Sequence, residues 1–287
     1  MNGVKEDLIN ALNKKYGIND VCELSGMDLQ HYTFAATSNE RGEKAVESFL
    51  KYGFDLNSMR ILDIGCAYGG FAIAAAKCGA SVYGVDIDDE LTALSEQNLL
   101  GIDNIDCKII LSDATSVGFC RKIPVNYFDL IIVNDVFEHV YDTTALLSNI
   151  SRASNADAVI YFAIPSGTNI PYAFYEPHSG YLGLSILPPH LWSLSGSRPR
   201  SIYYRPWDYY SAIFRHYGFT QINFLTFPND EDENIRSVIQ TKFEEYKTKF
   251  NVDIEKQSAE FRRYMLPALV EYESRMIFDL YDYPINS

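Results

Sequence analysis

Five short apolar runs between residues 60 and 165 constrain the fold of this chain more than any other feature. They are rich in Ile and Val and apolar on both faces, as is typical of strands covered by helices on both sides. Amphipathic stretches at 69–78, 89–99 and 142–153 separate them. This alternation predicts an α/β fold built from βαβ units, with a doubly wound, mostly parallel sheet of about seven strands and helices on both faces. The strands predicted directly are Arg60–Gly65, Ser81–Asp86, Asp106–Leu111, Phe128–Val133 and Ala158–Ile164.

Three regions are predicted along the chain. An N-terminal lid would hold helices at 4–15 and 38–52, and a central core would hold the sheet. Within that core, the Pro-, Gly- and aromatic-rich stretch 165–205 is too long for a simple connection and predicts a substrate-facing insertion. The third region would add C-terminal helices. The boundaries are 1–55, 56–230 and 231–287.

The C-terminal elements are predicted from the spacing of apolar residues. Residues 206–217 fit a helix, Thr220–Phe227 a strand and 232–270 two charged helices. Glu271–Tyr283 satisfies the helical and the strand period in part, so a helix and a last antiparallel strand both stay open. The aromatic residues of 232–270 fit either a cover over the sheet or a homodimer contact.

The charge and the cysteines restrict partners and location. The chain has 24 Lys+Arg against 38 Asp+Glu, a formal net charge of −14, which repels phosphate backbones and anionic lipids. It has no apolar run long enough to span a membrane, and its first ten residues, MNGVKEDLIN, do not resemble a signal peptide. Its five cysteines include no C-x-x-C pair and fit buried, reduced thiols. We therefore expect a cytoplasmic protein with no nucleic-acid partner and no membrane span.

A glycine-rich turn follows the first predicted strand, in Ile61–Gly70 (ILDIGCAYGG). Glycine suits such a turn because a positive φ and close approach to a ligand both exclude a Cβ, and the next helix start offers unpaired N–H groups. Asp63 would oppose a pyrophosphate but suits a cationic ligand, and Ala67 stands where a dinucleotide turn needs its second glycine. Asp86, which ends the next strand, can accept both ribose hydroxyls. A nucleoside therefore fits better than a diphosphate.

These motifs resemble those of the class I S-adenosylmethionine-dependent methyltransferases of the small-molecule, ubiquinone-type branch. The family's D-x-G-x-G-x-G appears as Asp63-Ile-Gly65-Cys-Ala67-Tyr-Gly69, with Ala67 as its one departure, and residues 128–140 resemble the fourth motif with its Glu-His-Val ending. The resemblance implies a Rossmann-like fold, S-adenosyl-L-methionine as methyl donor and S-adenosyl-L-homocysteine as product. It implies cofactor contacts from Asp63, Gly65, Ala67, Tyr68, Gly69, Asp86, Ile87, Asp113, Ala114 and Asn134.

Some of these residues also fit structural roles. Gly65 and Gly69 would close a strand–helix turn in any βαβ unit, although the matching positions of Asp63 and Asp86 favour the cofactor. Asp113 suits a helix N-cap as well as the adenine amine. Tyr68 suits packing as well as cofactor contact, and both alternatives stay open.

Methyl transfer to a hydroxyl needs a base at the acceptor oxygen, and histidine is the side chain best suited to this near neutral pH. His139 follows the fourth predicted strand, close to the carboxyl edge where doubly wound sheets bind ligands. His178 lies in the insertion two residues after Glu176, a carboxylate able to fix its tautomer. A structural role between loop and helix is the alternative for His139. We predict His139 and His178 as the candidate catalytic bases.

Asp135, Glu138 and His139 form a D-x-x-E-H cluster. It resembles the E-x-x-E-H arrangement associated with metal-assisted catalysis in the O-methyltransferases of ubiquinone synthesis. An oxygen-rich set with one imidazole would suit Mg or Zn. The alternative is that the acidic residues lie at a helix N-terminus, and we predict no metal.

Aromatic residues and arginines concentrate in the insertion. Tyr175 and Glu176 are predicted to contact the substrate, since aromatic faces with polar edges suit sugar or aromatic acceptors. Arg198 and Arg200, together with Arg205, are candidates to dock a phosphate or carboxylate in an otherwise acidic chain. The aromatic residues fit a small core equally well, and the arginines fit a solvated loop.

The segment Glu176–Pro188 also resembles an insertion of bacterial methyltransferases encoded among polysaccharide and cell-surface genes. This resemblance implies a glycan precursor as acceptor. The sequence as a whole predicts a methyltransferase (EC 2.1.1) acting on an oxygen of a small molecule or glycan precursor. N-methylation of a small amine and a non-catalytic nucleoside-binding module stay open, whereas Asp63 and Ala67 count against a nicotinamide oxidoreductase.

Overall fold

The computed structural model of the chain describes residues 3–164, 174–175, 181–195, 202–203, 205, 207–223 and 235–282. The chain forms two compact units. The first comprises Met1–Phe137 and Asp142–Ala163, and the second comprises Glu138–Tyr141 and Ile164–Ser287. This division differs from the three predicted regions, because it joins the N-terminal helices to the sheet and separates the sheet from everything after residue 163.

The first unit is built on a parallel sheet of five strands with the order β3-β2-β1-β4-β5. Strands β2 and β3 follow one another on one side of β1, and β4 and β5 follow one another on its other side. The strand order therefore reverses between β1 and β4, which is where sheets of this kind bind ligands at their carboxyl edge. The strands are β1 (Arg60–Ile64), β2 (Ser81–Asp86), β3 (Asp106–Leu111), β4 (Phe128–Asn134) and β5 (Ser154–Ala163).

Helices of the first unit follow the predicted pattern with one addition, α2. Its sequence shows no clean apolar face, since Tyr32 and Ala35 are buried while Met27, Leu29 and Phe34 are exposed, and periodicity therefore does not reveal it. The helices are α1 (Gly3–Tyr16), α2 (Gly26–Ala36), α3 (Ser38–Lys51), α4 (Gly70–Lys77), α5 (Asp89–Leu99) and α6 (Thr143–Ala153).

Helices α3 and α4 are in backbone contact. A Cβ added at Gly42 would lie 2.1 Å from the carbonyl oxygen of Gly70, and one added at Gly70 would lie 2.2 Å from that of Ser38. Only glycine permits such an approach. The apolar side of α3, including Val46 and Phe49, continues into the core formed with the sheet.

The first two helices cover the glycine-rich turn. Leu8 and Leu12 of α1 form a buried cluster with Tyr32 and Ala35 of α2, and this cluster also contains Tyr68 of the turn and Leu94 of α5. The ring of Tyr68 is therefore held by packing, which was one of its two predicted roles.

The second unit contains helices α7 (Trp207–His216), α8 (Ile235–Glu255) and α9 (Ala259–Asp282). The predicted alternative of a last strand at Glu271–Tyr283 is wrong, because α9 runs through to Asp282. Its buried residues show why: the spacing of three and four between them is helical. They are Phe261, Met265, Leu269 and Tyr272, which pack with Phe174, Leu184, Trp192, Phe243 and Phe250.

Among the residues that the structure describes, five strands are found where about seven were expected. Of the predicted strand Thr220–Phe227, residues 220–223 are neither helix nor strand, and 224–227 lie outside the described residues. Within the parts of the chain given above, no helix is both long and apolar enough to cross a membrane. All five cysteines are free thiols, as expected. The expectation that all are buried is wrong, because only Cys66 is buried, Cys22 is exposed and the other three are partly buried.

Candidate cofactor and active site

Three residues of the glycine-rich turn adopt left-handed backbone conformations. Gly65 has φ +76° and Gly69 has φ +74°, and Ala67 between them has φ +47°. At Gly65 an added Cβ would lie 2.4 Å from Cγ2 of Val136, and at Gly69 it would lie 2.5 Å from Oγ of Ser95. Glycine is thus required at both positions. Ala67 keeps the conformation of the glycine that it replaces, at the cost of backbone strain.

The turn is hydrogen-bonded to the end of β2. The N–H groups of Gly65 and Cys66 donate to the carbonyl of Val85 at 2.8 and 3.1 Å. The N–H of Ala67 donates to Oδ2 of Asp86 at 2.9 Å. The strained residue is therefore held by a charge-assisted bond to the carboxylate that the sequence assigns to the ribose.

Asp86 lies at the carboxyl end of β2 and is 8% exposed. Its Oδ1 accepts the N–H of Asp88 at 3.0 Å, so each oxygen accepts one backbone donor. A carboxylate offers about four lone-pair sites, which leaves acceptor capacity for a diol. Ile87 is 68% exposed and Leu111, its neighbour at the end of β3, is 47% exposed. Two apolar side chains are thus presented to solvent beside this carboxylate.

Asp63 lies inside β1 and is only 5% exposed. Burial raises the pKa of its carboxyl group to about 7, and repulsion from the charge of Asp86 adds to this. The ionised form is disfavoured in the absence of a positive charge. This pair of carboxyl groups therefore favours a cationic ligand at the turn.

The loop after β3 is fixed by side-chain bonds. Oδ1 of Asp113 accepts the N–H and the hydroxyl of Thr115 at 2.8 and 2.7 Å. Asp113 thus closes a local turn, a role close to the predicted N-cap alternative, although no α-helix begins there. The carbonyl of Ala114 accepts Nδ2 of Asn149 at 2.9 Å, which ties the loop to α6.

Asn134 and Asp135 end β4. Nδ2 of Asn134 donates to Oδ2 of Asp135 at 2.8 Å, and both residues are exposed. Asp135 has φ +52°, and its N–H donates to the carbonyl of Ala163 at 2.9 Å. This left-handed residue turns the chain away from the sheet at its carboxyl edge.

Arg41 of α3 lies beside the turn, and sequence reasoning did not single it out. Its guanidinium lies 3.4 Å from the ring centroid of Phe34. The ring of Phe34 meets that of Tyr68 edge to face, with 6.5 Å between the two ring centroids. Partial burial lowers the pKa of Arg41, and Tyr68 partly opposes this. Among the residues that the structure describes, no carboxylate forms an ion pair with it. No sequence signal marks it, because it belongs to no motif.

The start of α3 is fixed to the turn by amide groups. Asn39 and Asn98 exchange two hydrogen bonds of 2.8 Å through their side-chain amides. Nδ2 of Asn98 also donates to the carbonyl of Tyr68 at 2.8 Å. Together with the contact of Gly42 and Gly70, these bonds hold Arg41 at a defined position beside the turn.

His139 ends a short 3₁₀ helix, Phe137–His139. Its side chain is 41% exposed, and its Nε2 lies 3.8 Å from Oε1 of Glu138, which is fully buried. The metal alternative for Asp135, Glu138 and His139 is not supported: within the described part of the chain no three His, Cys, Asp or Glu residues are arranged to hold an ion, these three included.

The predicted substrate residues have mixed outcomes. The hydroxyl of Tyr175 donates to Oδ2 of Asp253 at 2.8 Å, and Nζ of Lys249 lies 4.6 Å from its ring centroid. Tyr175 is thus engaged within its own unit. Arg205 donates to two backbone carbonyls. The remaining predicted residues lie outside the described residues: Glu176, His178, Arg198 and Arg200.

Comparison with known proteins agrees with the nucleoside geometry. A family described as "Methyltransferase domain" matches residues 31–223. A curated relative, the mitochondrial ubiquinone biosynthesis O-methyltransferase of Bos taurus, is 29% identical over 121 residues, which cover 42% of this chain and 32% of that protein. The ribosomal protein L11 methyltransferase of Porphyromonas gingivalis is 41% identical over 81 residues, covering 28% of this chain and 26% of that protein.

A solved structure is similar over a larger part of this chain. The S-adenosylmethionine-dependent methyltransferase of Mesorhizobium loti aligns with a TM-score of 0.50 at 18% identity, covering 68% of this chain and 90% of that chain. The fold thus defines a Rossmann-like α/β protein. The chain belongs to the methyltransferase-domain family, within the class I S-adenosylmethionine-dependent methyltransferases. The expected cofactor is confirmed with the family, and the nicotinamide alternative is excluded. The chain spans about a third of the length of the bovine relative and about a quarter of that from Porphyromonas gingivalis.

Proposed function

We propose that this chain transfers a methyl group from S-adenosylmethionine to an oxygen atom of a small molecule. The observation that carries the proposal is the Asp86 carboxylate, held by the N–H groups of Ala67 and Asp88 beside a turn with three left-handed residues. The identity to an O-methyltransferase of ubiquinone biosynthesis supports oxygen as the acceptor atom.

The residues of the turn fit the cofactor. When bound, S-adenosylmethionine supplies a sulfonium-activated methyl group. Asp86 would bind the ribose hydroxyls with its remaining lone pairs, and exposed Ile87 would pack against the adenine ring. Oδ2 of Asp113 would accept the adenine amine, with Ala114 and Asn134 lining the same edge. Gly65, Ala67 and Gly69 would let the backbone approach the ligand closely.

The methionine portion of the cofactor carries two positive groups, the sulfonium and the ammonium, and one negative carboxylate, and the site offers a group of opposite charge for each sign. Asp63 would be ionised by the cationic sulfonium and ammonium groups. Arg41 would bind the carboxylate, because it is a partly buried cation in an acidic chain with no ion pair in the part described. Helices α1 and α2 would act as the lid over this end.

The acceptor proton would go to the imidazole of His139, the base best supported within the described residues. Its neighbour Glu138 would favour the protonated imidazole that this step produces. His178 stays a prediction, as do substrate contacts from Tyr175, Glu176, Arg198 and Arg200. A glycan-precursor acceptor, a cytoplasmic location, a homodimer and the absence of a nucleic-acid partner also stay predictions.

Calorimetry with S-adenosylhomocysteine, followed by a radiolabelled methyl-transfer screen, tests the proposal. The screen pairs phenolic and sugar hydroxyls with primary amines of matched size, and includes ribosomal protein L11 as a protein acceptor. We expect micromolar binding and transfer to a hydroxyl. Transfer to amines alone would replace O-methylation by N-methylation, and binding without any turnover would identify a non-catalytic nucleoside-binding module. Failure to bind S-adenosylhomocysteine would overturn the proposal.

A further inference from the structure

The four residues that carry His139 belong to a different unit from their neighbours in the chain. Phe137 and Asp142 are part of the first unit, whereas Glu138–Tyr141 is part of the second. The segment lies between β4 and α6 in sequence, yet its contacts come from residues more than sixty positions further along the chain. Something in the second unit therefore fixes its conformation.

Backbone carbonyls of this segment are bound by residues 203–205. Nη2 of Arg205 donates to the carbonyl of Val140 and to that of Tyr141, each at 2.9 Å. The N–H of Tyr203 donates to the carbonyl of Glu138. Three of the four carbonyls in the segment thus accept a bond from two nearby residues. The backbone on both sides of His139 is held.

The guanidinium of Arg205 is itself oriented by aromatic rings. It lies 5.0 Å from the ring centroid of Tyr203 and 5.4 Å from that of Tyr209. The ring of Tyr203 also contacts Tyr141 edge to face at 5.6 Å. A planar guanidinium stacked on rings keeps its fork of donors in a fixed direction, which a lysine would not do.

The side chains near His139 form one charged cluster. Glu138 is fully buried 3.8 Å from Nε2 of His139. Tyr210 is buried and interacts with both Arg205 and Glu138. The carboxylate beside His139 is thus linked through the phenol of Tyr210 to the guanidinium of Arg205, all within the second unit.

We propose that Arg205 is a positioning residue that fixes the His139 segment for proton transfer, not a ligand for an anionic substrate. Two bonds to the carbonyls that follow His139 define where the imidazole is presented. A displacement of about 1 Å at a reacting group costs roughly 10²-fold in rate. The inference rests on the proposed function, because it assumes that His139 is the base.

Arg205→Met tests the inference, with Arg215→Met as the matched control. Arg215 is an exposed arginine of the same unit whose side chain makes one long bond, from Nε to Oγ of Ser211 at 3.4 Å. Four quantities are measured: thermal unfolding, S-adenosylhomocysteine affinity, hydrogen exchange of the Tyr203 amide, and the pKa of His139 by imidazole NMR. His139→Gln assigns the NMR signal.

In Arg205→Met we expect exchange of the Tyr203 amide to accelerate at least tenfold and the NMR titration of the His139 imidazole to differ from that of the unmodified chain. The affinity for S-adenosylhomocysteine should stay within twofold of the unmodified chain. With the hydroxyl acceptor found by the screen, kcat should fall at least tenfold at unchanged KM. Arg205→Lys should restore part of each change, and Arg215→Met should show none.

An unchanged His139 titration in Arg205→Met would overturn the inference, even if the variant unfolds at a lower temperature, because loss of stability alone is a structural effect. If Arg205→Met does not fold, the same measurements on Arg205→Lys decide. If the unmodified chain binds no S-adenosylhomocysteine, the proposed function fails, while the exchange and NMR results still report on the contact itself.

Discussion

Two buried carboxyl groups at the glycine-rich turn differ in their surroundings and therefore in their chemistry. Asp86 accepts two backbone N–H groups and stays a hydrogen-bond acceptor. Asp63 has only 5% of its surface exposed, and burial raises its pKa to about 7. The sequence could predict both residues, since the turn motif and the end of the next strand mark them. It could not predict Arg41, whose role depends on contacts with α2 and the turn.

Removing the Asp86 carboxylate should weaken cofactor binding. For Asp86→Ala we expect a loss of roughly 1.5–3 kcal/mol, at least tenfold in Kd, because charge-assisted bonds to the ribose are lost. Calorimetry with S-adenosylhomocysteine measures it. Asp103→Ala, at an exposed position, is the control and should bind normally. Equal affinity in both variants would contradict the ribose role.

Arg41→Met should reduce affinity only for ligands that carry the amino-acid carboxylate. We expect at least tenfold weaker binding of S-adenosylmethionine and little change for its decarboxylated analogue, because the two differ in that group alone. Lys44→Met removes a charge from an exposed position of the same helix and should affect neither. A similar loss for both ligands in Arg41→Met would reduce Arg41 to a packing role on Phe34.

The pKa of Asp63 makes cofactor binding depend on pH. Below about pH 7 the carboxyl group is protonated and offers no charge to the sulfonium and ammonium groups, so affinity should rise as pH increases through 7. Asp63→Asn should abolish this rise. Calorimetry between about pH 5.5 and 8.5, roughly one and a half units on either side of the pKa of Asp63, provides the measurement. If the affinity still depends on pH in Asp63→Asn, another group causes the dependence.

The same group should affect stability in the opposite direction. Its pKa is 3.8 in the unfolded chain and about 7 in the folded one, so the folded state holds a proton that the unfolded state has released. Stability should therefore fall as pH rises from about 4 to about 7, by at most about 4 kcal/mol. Asp63→Asn should flatten this slope in urea unfolding. A slope equal to that of the unmodified chain would show that Asp63 does not cause it.

At the scale of elements, β1 and β4 in the middle of the sheet were predicted well because burial on both faces requires a nearly continuous apolar run. The edge strands β3 and β5 are only partly buried and were recognised from their Ile and Val content. Strands β2 and β3 match the predicted ends, and β5 begins four residues earlier at Ser154. Helix α2 was missed and the last strand was wrong for one reason. Both depend on which side chains are covered by distant parts of the chain, and local periodicity does not contain that information.

The glycine contact between α3 and α4 gives a prediction for this scale. Gly42→Ala should destabilise the fold by about 1–3 kcal/mol, since its Cβ would meet the backbone of Gly70. Gly118→Ala is the control, because a Cβ there meets nothing within 4 Å and φ is negative. Urea unfolding measures both. If Gly42→Ala and Gly118→Ala have the same free energy of unfolding, α3 and α4 can move apart without loss of stability.

At the scale of the whole molecule, the sequence predicted three consecutive regions, while contacts divide the chain into two units that share it discontinuously. Four residues after β4 cross into the second unit, and no composition shift marks them. The net charge of −14 makes the isolated cations informative. Arg205 uses its charge to bind two backbone carbonyls, whereas Arg41 forms no ion pair within the described residues.

The backbone contact of α3 with α4 has a consequence for how ligands enter. Two helices that already touch at glycine cannot be pressed closer. The paired amides of Asn39 in α3 and Asn98 in α5 fix α3 to a further helix on the same side of the turn. We therefore expect α3 and α4 to keep a fixed distance beside the glycine-rich turn. Release of S-adenosylhomocysteine and entry of S-adenosylmethionine should therefore use a route that does not require α3 and α4 to separate.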